Sequence, residues 1–462
     1  MPALKNSASS RASKARPSHL REAAAAFALL AAYGAIVAWW LWSRGYSYYF
    51  GDAEAHLNIA RRIFDSRTPG GSMIGTVWLP LPHLLFAVFA QSDALWTNGL
   101  AGVIPSVLCF ALAGTLVYLL GSKLFDSEPG GAAAALLFAN NPTMMYLATA
   151  PMTEPVMAVA LCALLLTTLW YRETQSVAAL LGVAAALNAA ALTRYEGWFL
   201  IPFVGLYMLV VGRNKQHGFV FGILAAVAPV AWLAHNQFYY GDALAFYRGP
   251  YSANAITQGQ LKVGMANPAA GDWHQTGIYY GAVLRHVLGW PLIGIGCVGG
   301  LVALFRRAFW PVALLALPGA FYLRSIHSGG TPVFVPELEP YTRYNTRFGL
   351  ALLPLLAFGG GAIVSTLPRR GAWIAAVILT GATLFGEGHL PVSISWEEAR
   401  DGSAVRKVWT AEAAAYLREN YRPGAGLIFS FGDLTGVLRE AGIPFRETVF
   451  QDNRSEEHTS EL

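Results

Sequence analysis

Long apolar runs separated by short polar breaks organise this chain. Runs close to the ~17–25 residues that cross a bilayer as helix fall at Glu22–Trp42, Ala101–Leu120, Gly131–Leu147, Glu154–Trp170, Ser176–Leu192, Trp198–Val211, Phe219–His235, Ala282–Leu304, Trp310–Tyr322, Phe348–Thr366 and Ala372–Leu384. The pattern predicts an all-α polytopic membrane protein with about eleven transmembrane helices. Residues 1–21 form a basic tail ahead of them, and residues 22–388 the transmembrane domain. The first run has no evident cleavage site, so it reads as a retained signal anchor.

Three breaks are long: Ser43–Leu100, Asn236–Tyr280 and Arg324–Arg347. The first opens on a helical pattern from Asp52 to Phe64. At ~100° per residue, Ala53, Leu57, Ala60 and Phe64 form one apolar stripe, widened by Ile59 and Ile63. Glu54, Asn58, Arg61, Arg62 and Asp65 take the opposite face, which predicts a helix lying flat in the interface with Glu54 solvated. Asp52 and His56, one turn apart, fall on the Ile59/Ile63 side. At that position Asp52 is open to two roles, an N-cap and a site carboxylate. Next comes Val77-Trp-Leu-Pro-Leu-Pro-His-Leu-Leu85, an interfacial segment whose His83 faces either a site or the headgroup region.

Composition agrees with the lipid setting. The chain is 55% hydrophobic and 13% charged, where a soluble protein has about 25% charged residues. Its net charge of +5 is small, and the basic residues sit in loops. That pattern speaks of topology and excludes a nucleic-acid partner. With the N-terminus inside, every inner loop holds a basic residue, from Lys123 to Arg369 and Arg370, as the positive-inside rule requires. The motif-bearing loops then face outward. Cys109, Cys162 and Cys297 lie within apolar runs and imply no disulfide framework. Ala/Gly/Arg-rich usage fits a bacterium of high genomic GC, and so the bacterial inner (plasma) membrane.

Residues 389–453 read as the start of an outer (periplasmic or extracellular) soluble α/β domain. It has a helix over Ala411–Tyr421, a buried strand at 426–431 and a second helix over Leu434–Ala441, before Glu447-Thr-Val-Phe450. Residues 454–462 read as the in-frame translation of a sequencing adapter and are set aside, the natural protein being expected to diverge near Asn453.

Polar residues gather at the mouths of the runs on the outer side. Glu154 opens one run. Arg194 and Glu196 stand before another, and Arg343 and Arg347 before a third. An interfacial arginine ordinarily snorkels to headgroups. Several on one side, with three carboxylates (Asp52, Glu154 and Glu196) and two histidines (His56 and His83), favour binding the phosphate of a lipid-linked substrate through the planar guanidinium.

This layout resembles the GT-C superfamily of polyprenyl-phosphate-dependent glycosyltransferases, in particular the protein O-mannosyltransferase-like and aminoarabinose-transferase-like branch. The resemblance spans roughly residues 20–390 and rests on the order of short motifs. These are the acidic motif at Asp52, the Pro-Leu-rich segment, Ile104-Pro-Ser106, Leu119-Leu-Gly-Ser-Lys-Leu-Phe125, Asn141-Pro142 and Thr153-Glu154. The family's tandem Asp-Glu is here Asp52-Ala53-Glu54, with the second acid displaced by one residue, and no Trp-Trp-Asp-Tyr-type motif of the oligosaccharyltransferase branch occurs. The resemblance implies Asp52 as catalytic base and Glu154 as a second acid. It implies a polyprenyl-phosphate sugar as donor, an acceptor hydroxyl or amine on protein, lipid or glycan, and inversion at the anomeric carbon. Some relatives bind a divalent metal, for which Asp52, His56 and Glu154 are the candidates; no cofactor is otherwise implied. The competing readings are a transporter or flippase of a lipid-linked sugar and a non-catalytic envelope scaffold.

Overall fold

The computed structural model describes residues 16–262, 267–386, 393–429 and 436–450. The tail before Arg16, the adapter-like residues 454–462 and part of the expected strand at 426–431 lie outside them.

Each apolar run becomes helix. α1 (Arg16–Trp42) crosses first. The loop after it is folded, with α2 (Ala53–Arg62), α3 (Pro80–Ala90) and α4 (Asp93–Thr97). The bundle continues through α5 (Leu100–Phe125), α6 (Glu128–Ala139) and α7 (Pro142–Leu147), then α8 (Glu154–Thr174), α9 (Val177–Ala191) and α10 (Glu196–Val211). α11 (Lys215–Ala225) and α12 (Val227–Tyr240) share one apolar stretch, and two short loop helices follow, α13 (Ala245–Arg248) and α14 (Ala253–Lys262). α15 (Trp273–Phe305), α16 (Phe309–His327), α17 (Leu353–Val364) and α18 (Arg369–Phe385) complete the bundle. Among the described residues, 7 helical stretches are long and apolar enough to cross a membrane. The remaining runs form shorter helices, so length alone does not fix the crossings at about eleven. The protein is a multi-pass membrane protein.

The local breaks have causes in the sequence. The expected helix over Gly131–Leu147 is interrupted at Asn141-Pro142. Pro142 starts α7, and the Asn141 side chain caps it by accepting from the Met144 N–H. The same Asn141 donates 2.7 Å to the Val287 carbonyl in α15. That carbonyl lies four residues before Pro291, which has no N–H to offer it, and α15 kinks there at Gly289. One asparagine therefore settles two helix irregularities.

The core runs through the bundle from α5 to α17. Glycines set its closest contacts. A Cβ on Gly299 of α15 would collide with the Gly359 carbonyl of α17, and one on Gly131 of α6 with Ser122 and the Tyr118 carbonyl of α5. Small residues at helix crossings let backbones touch where lipid supplies no hydrophobic drive. Arg347 lies in the 3-10 turn Thr346–Leu352 that leads directly into α17.

The C-terminal residues differ from expectation in two respects. The helix expected over Ala411–Tyr421 is far longer, α19 (Ile394–Asn420). The strand is only β1 (Leu427–Ile428), with Ile428 exposed rather than buried. After α20 (Gly436–Ala441), β2 (Thr448–Val449) pairs with β1 in parallel. α20 packs on α19 and α4, and Leu438, Ile443 and Phe445 join a small core with Leu57, Phe86 and Trp96 of the first loop.

That packing overturns one expectation. α2 does not lie on a surface with a solvated polar face. Glu54, Asn58, Arg61, Arg62 and Asp65 are all buried, because the C-terminal residues and α4 cover that face. Each charge acquires a fixed partner. Arg61 holds Asp65 at 2.7 Å and Asp93, and its guanidinium stacks over Trp96. Arg62 donates to the Met73 carbonyl. Glu54 pairs with Arg439.

Candidate functional site

Side chains from the starts of α2, α8 and α10, from near the end of α16 and from the turn before α17 meet at one place. Asp52 begins α2, but its side chain makes no capping hydrogen bond. It instead accepts from Arg347 at 2.6 Å and is one-third exposed. Arg347 also lies 3.1 Å from Glu154, and its guanidinium sits over the rings of Phe50 and Phe348.

Glu154 opens α8 and shares one oxygen, Oε1, between Arg347 and Arg194, the latter at 2.9 Å. Its other oxygen, Oε2, is buried with no hydrogen-bond partner among the described residues. Arg194, in the turn between α9 and α10, donates to Glu154, to Thr153 at 2.6 Å, to Glu196 at 2.7 Å and to the Tyr322 hydroxyl at 2.7 Å. Tyr322 in turn donates to Glu196 at 3.0 Å. The result is one chain of charge from Asp52 to Glu196, with two guanidiniums between three carboxylates.

His56, one turn after Asp52, is buried against Trp78 and lies 2.9 Å from His83 through ring nitrogens. Burial, with Arg347 and Arg194 nearby, pushes the His56 pKa down to about 3, so the imidazole is neutral at physiological pH. His83 is fully buried beside it and lines neither of the two cavities that adjoin the cluster.

Two adjoining cavities open on this chain of charge. The larger, about 170 Å³, is lined by His56, Trp78, Thr153, Tyr195, Arg194 and Arg347 among others. The smaller, about 40 Å³, runs into the bundle past Glu154, Met157, Leu161 and Pro318. Arg194, Glu196, Tyr322, Arg347 and Phe348 border both.

The sequence-predicted residues thus divide. Asp52, Glu154, Arg194, Glu196 and Arg347 come together, with His56 on the cavity wall. Arg343 stands apart, bound to Asp401 at 2.8 Å and Glu397 at 3.2 Å on α19. No group of three or more His, Cys, Asp or Glu side chains able to hold a metal ion occurs among the described residues. Asp52 and Glu154 both pair with Arg347. Sequence reasoning missed Tyr322, Thr153 and Glu398. Glu398, on α19, approaches Gly51 and Arg347. Burial, added to by Asp52 and opposed by Arg347, raises its pKa to about 7.

A family model described as dolichyl-phosphate-mannose-protein mannosyltransferase matches residues 80–235. No curated protein matches the chain. Among solved structures, the chain is similar to ArnT from Cupriavidus metallidurans. The form bound to undecaprenyl phosphate has TM-score 0.57 and 15% identity, covering 90% of this chain and 84% of that one. The apo form has TM-score 0.55 and 16% identity, covering 91% and 85%. The chain therefore shares the polytopic fold of ArnT, and residues 80–235 within it match the mannosyltransferase family model.

Proposed function

We propose that this protein is a membrane glycosyltransferase that moves a sugar from a polyprenyl-phosphate donor to an acceptor hydroxyl or amine, on the outer face of a bacterial inner membrane, with Asp52 as general base. The observation that carries the reading is the convergence of Glu154, Arg194, Glu196 and Arg347 on two joined cavities, the larger faced by aromatic rings and the smaller continuing past apolar side chains, with Asp52 held on Arg347 beside them. The similar ArnT binds undecaprenyl phosphate, and a donor of that class suits such a site.

The chemistry follows from the groups present. The sugar occupies the larger cavity against Trp78 and Tyr195, and the prenyl chain follows the apolar one. The donor phosphate competes with Asp52 and Glu154 for the guanidiniums of Arg347 and Arg194, which bind phosphate through their planar forks. Asp52, reachable by solvent, takes the proton from the acceptor. The acceptor atom forms its bond to the anomeric carbon as the carbon–oxygen bond to phosphate breaks, on the opposite face. The electron pair leaves with polyprenyl phosphate, and the arginines stabilise the charge that develops there. The outcome is inversion. The unpartnered Oε2 of Glu154 is an acceptor waiting for a hydroxyl donor.

The test is transfer of labelled sugar from polyprenyl-phosphate donors in membranes carrying wild type or Asp52→Asn. Transfer by wild type and loss in the variant is expected. Equal transfer by both removes Asp52 as base.

A further inference from the structure

α2 carries His56 to the larger cavity and, at its start, Asp52 to Arg347, and its other face meets a second buried ion pair. Arg439 of α20 grips Glu54 with both ends of its fork, Nε to Oε1 at 2.6 Å and Nη2 to Oε2 at 3.0 Å. Its remaining Nη1 donates 2.9 Å to the Thr97 carbonyl, and its guanidinium lies over the Tyr48 ring, 4.5 Å from the centroid. Glu54 and Arg439 are 6% and 5% exposed. A second tie runs beside it. Asp65, just past the end of α2, accepts from the Arg446 side chain at 3.2 Å and from the backbone N–H groups of Phe445 and Arg446. Phe445 seals the pair edge-on against Trp96.

Both ends of α2 are therefore held from residues far along the chain. Glu54 is two positions from Asp52, so whatever fixes its carboxylate fixes the start of the helix. A two-point, directional contact is a poor source of net stability when buried, since desolvation offsets the attraction. It does fix orientation, and a catalytic group misplaced by ~1 Å can lose on the order of 10²-fold in rate.

We infer that Glu54 and Arg439 are positioning residues for the transfer reaction: the C-terminal segment clamps α2 so that His56 faces the larger cavity and Asp52 meets Arg347 at its edge. This rests on the proposed glycosyltransferase reading.

Three variants test it: Arg439→Met, Glu54→Gln, and the double variant Glu54→Leu/Arg439→Met, in which both charges are replaced by apolar groups. Each is compared with wild type for thermal stability, for kcat and donor KM, and for hydrogen exchange of the α2 amides. The single variants are expected to lose stability and to exchange faster over residues 53–62. The double variant is expected to regain thermal stability while kcat stays at least tenfold below wild type, with donor KM within about twofold. Recovery of kcat together with stability would make the pair structural only and overturn the inference, as would unchanged α2 exchange in the single variants. If wild type transfers sugar from no polyprenyl-phosphate donor, the functional reading fails, while the exchange data still decide whether the clamp exists.

Discussion

Two buried clusters of charge flank α2, and they are built on opposite terms. On one side Asp52, Glu154 and Glu196 share Arg194 and Arg347, one oxygen of Glu154 has no partner among the described residues, and the group borders two cavities. On the other side Arg439 grips Glu54 through both carboxylate oxygens, with Glu440 at 3.7 Å from the same guanidinium, and the Tyr48 ring covers it. The first has acceptor capacity left over beside room for a ligand. The second is closed. Burial of charge alone does not mark a site; unused valence next to a cavity does.

That contrast can be broken experimentally. The largest effect is expected for Asp52→Asn, which should lower kcat by ~10²–10⁴-fold and leave donor binding in place. A loss confined to donor affinity would move Asp52 from base to binding group. Next, Arg347→Met strips the partner from Asp52, which is one-third exposed, and one of two partners from Glu154, which keeps Arg194, so the change should cost ~1–3 kcal/mol. Thermal unfolding in detergent reads this, and an unchanged midpoint would mean that water already screens the cluster.

A smaller effect concerns pH. Glu398 holds its proton to about 7 in the fold, against an ordinary value of 4.5. A carboxyl whose value is raised on folding supports the fold fully below 4.5, and that support is lost as pH climbs through about 7. Wild type should therefore lose stability across this window and Glu398→Gln should lose less; parallel curves would place Glu398 in water. The smallest effect is expected for Arg343→Ala. Its partners Glu397 and Asp401 are partly exposed, so the change should cost ~0–1 kcal/mol and leave donor KM within about twofold. A large rise in KM would bring Arg343 back to the phosphate.

Much of this was legible in the sequence. Lipid demands that backbone polar groups be satisfied within the segment, so apolar runs of that length had to be helical, and every one is. Glu154, Arg194, Glu196 and Arg347 were recognisable because each is a charge at the mouth of an apolar run, where charge is costly without a reason, and Asp52 because it falls on the apolar side of an amphipathic pattern. Their pairings were not legible, since Asp52 meets Arg347 across 295 residues. The polar face of α2 was misread for the same reason. An amphipathic pattern says which face differs, not what covers it, and Arg439 lies 385 residues beyond Glu54. Tyr322 was hidden as the last residue of an apolar run, with a hydroxyl whose use depends on Arg194. Glu398 was hidden in Trp396-Glu-Glu-Ala-Arg-Asp-Gly-Ser403, a stretch polar enough, and with a glycine, to pass for a loop.

The contact of Gly299 with Gly359 reaches further than the membrane interior in which it sits. Arg347 enters α17 through a single 3-10 turn, so the guanidinium inherits its position from how tightly α17 leans on α15. A methyl group at either glycine would act as a wedge, prying the helices apart at their crossing and swinging the charged end. The tolerance of the charged centre is thus set in part by two hydrogen atoms buried between α15 and α17, well away from anything that reacts.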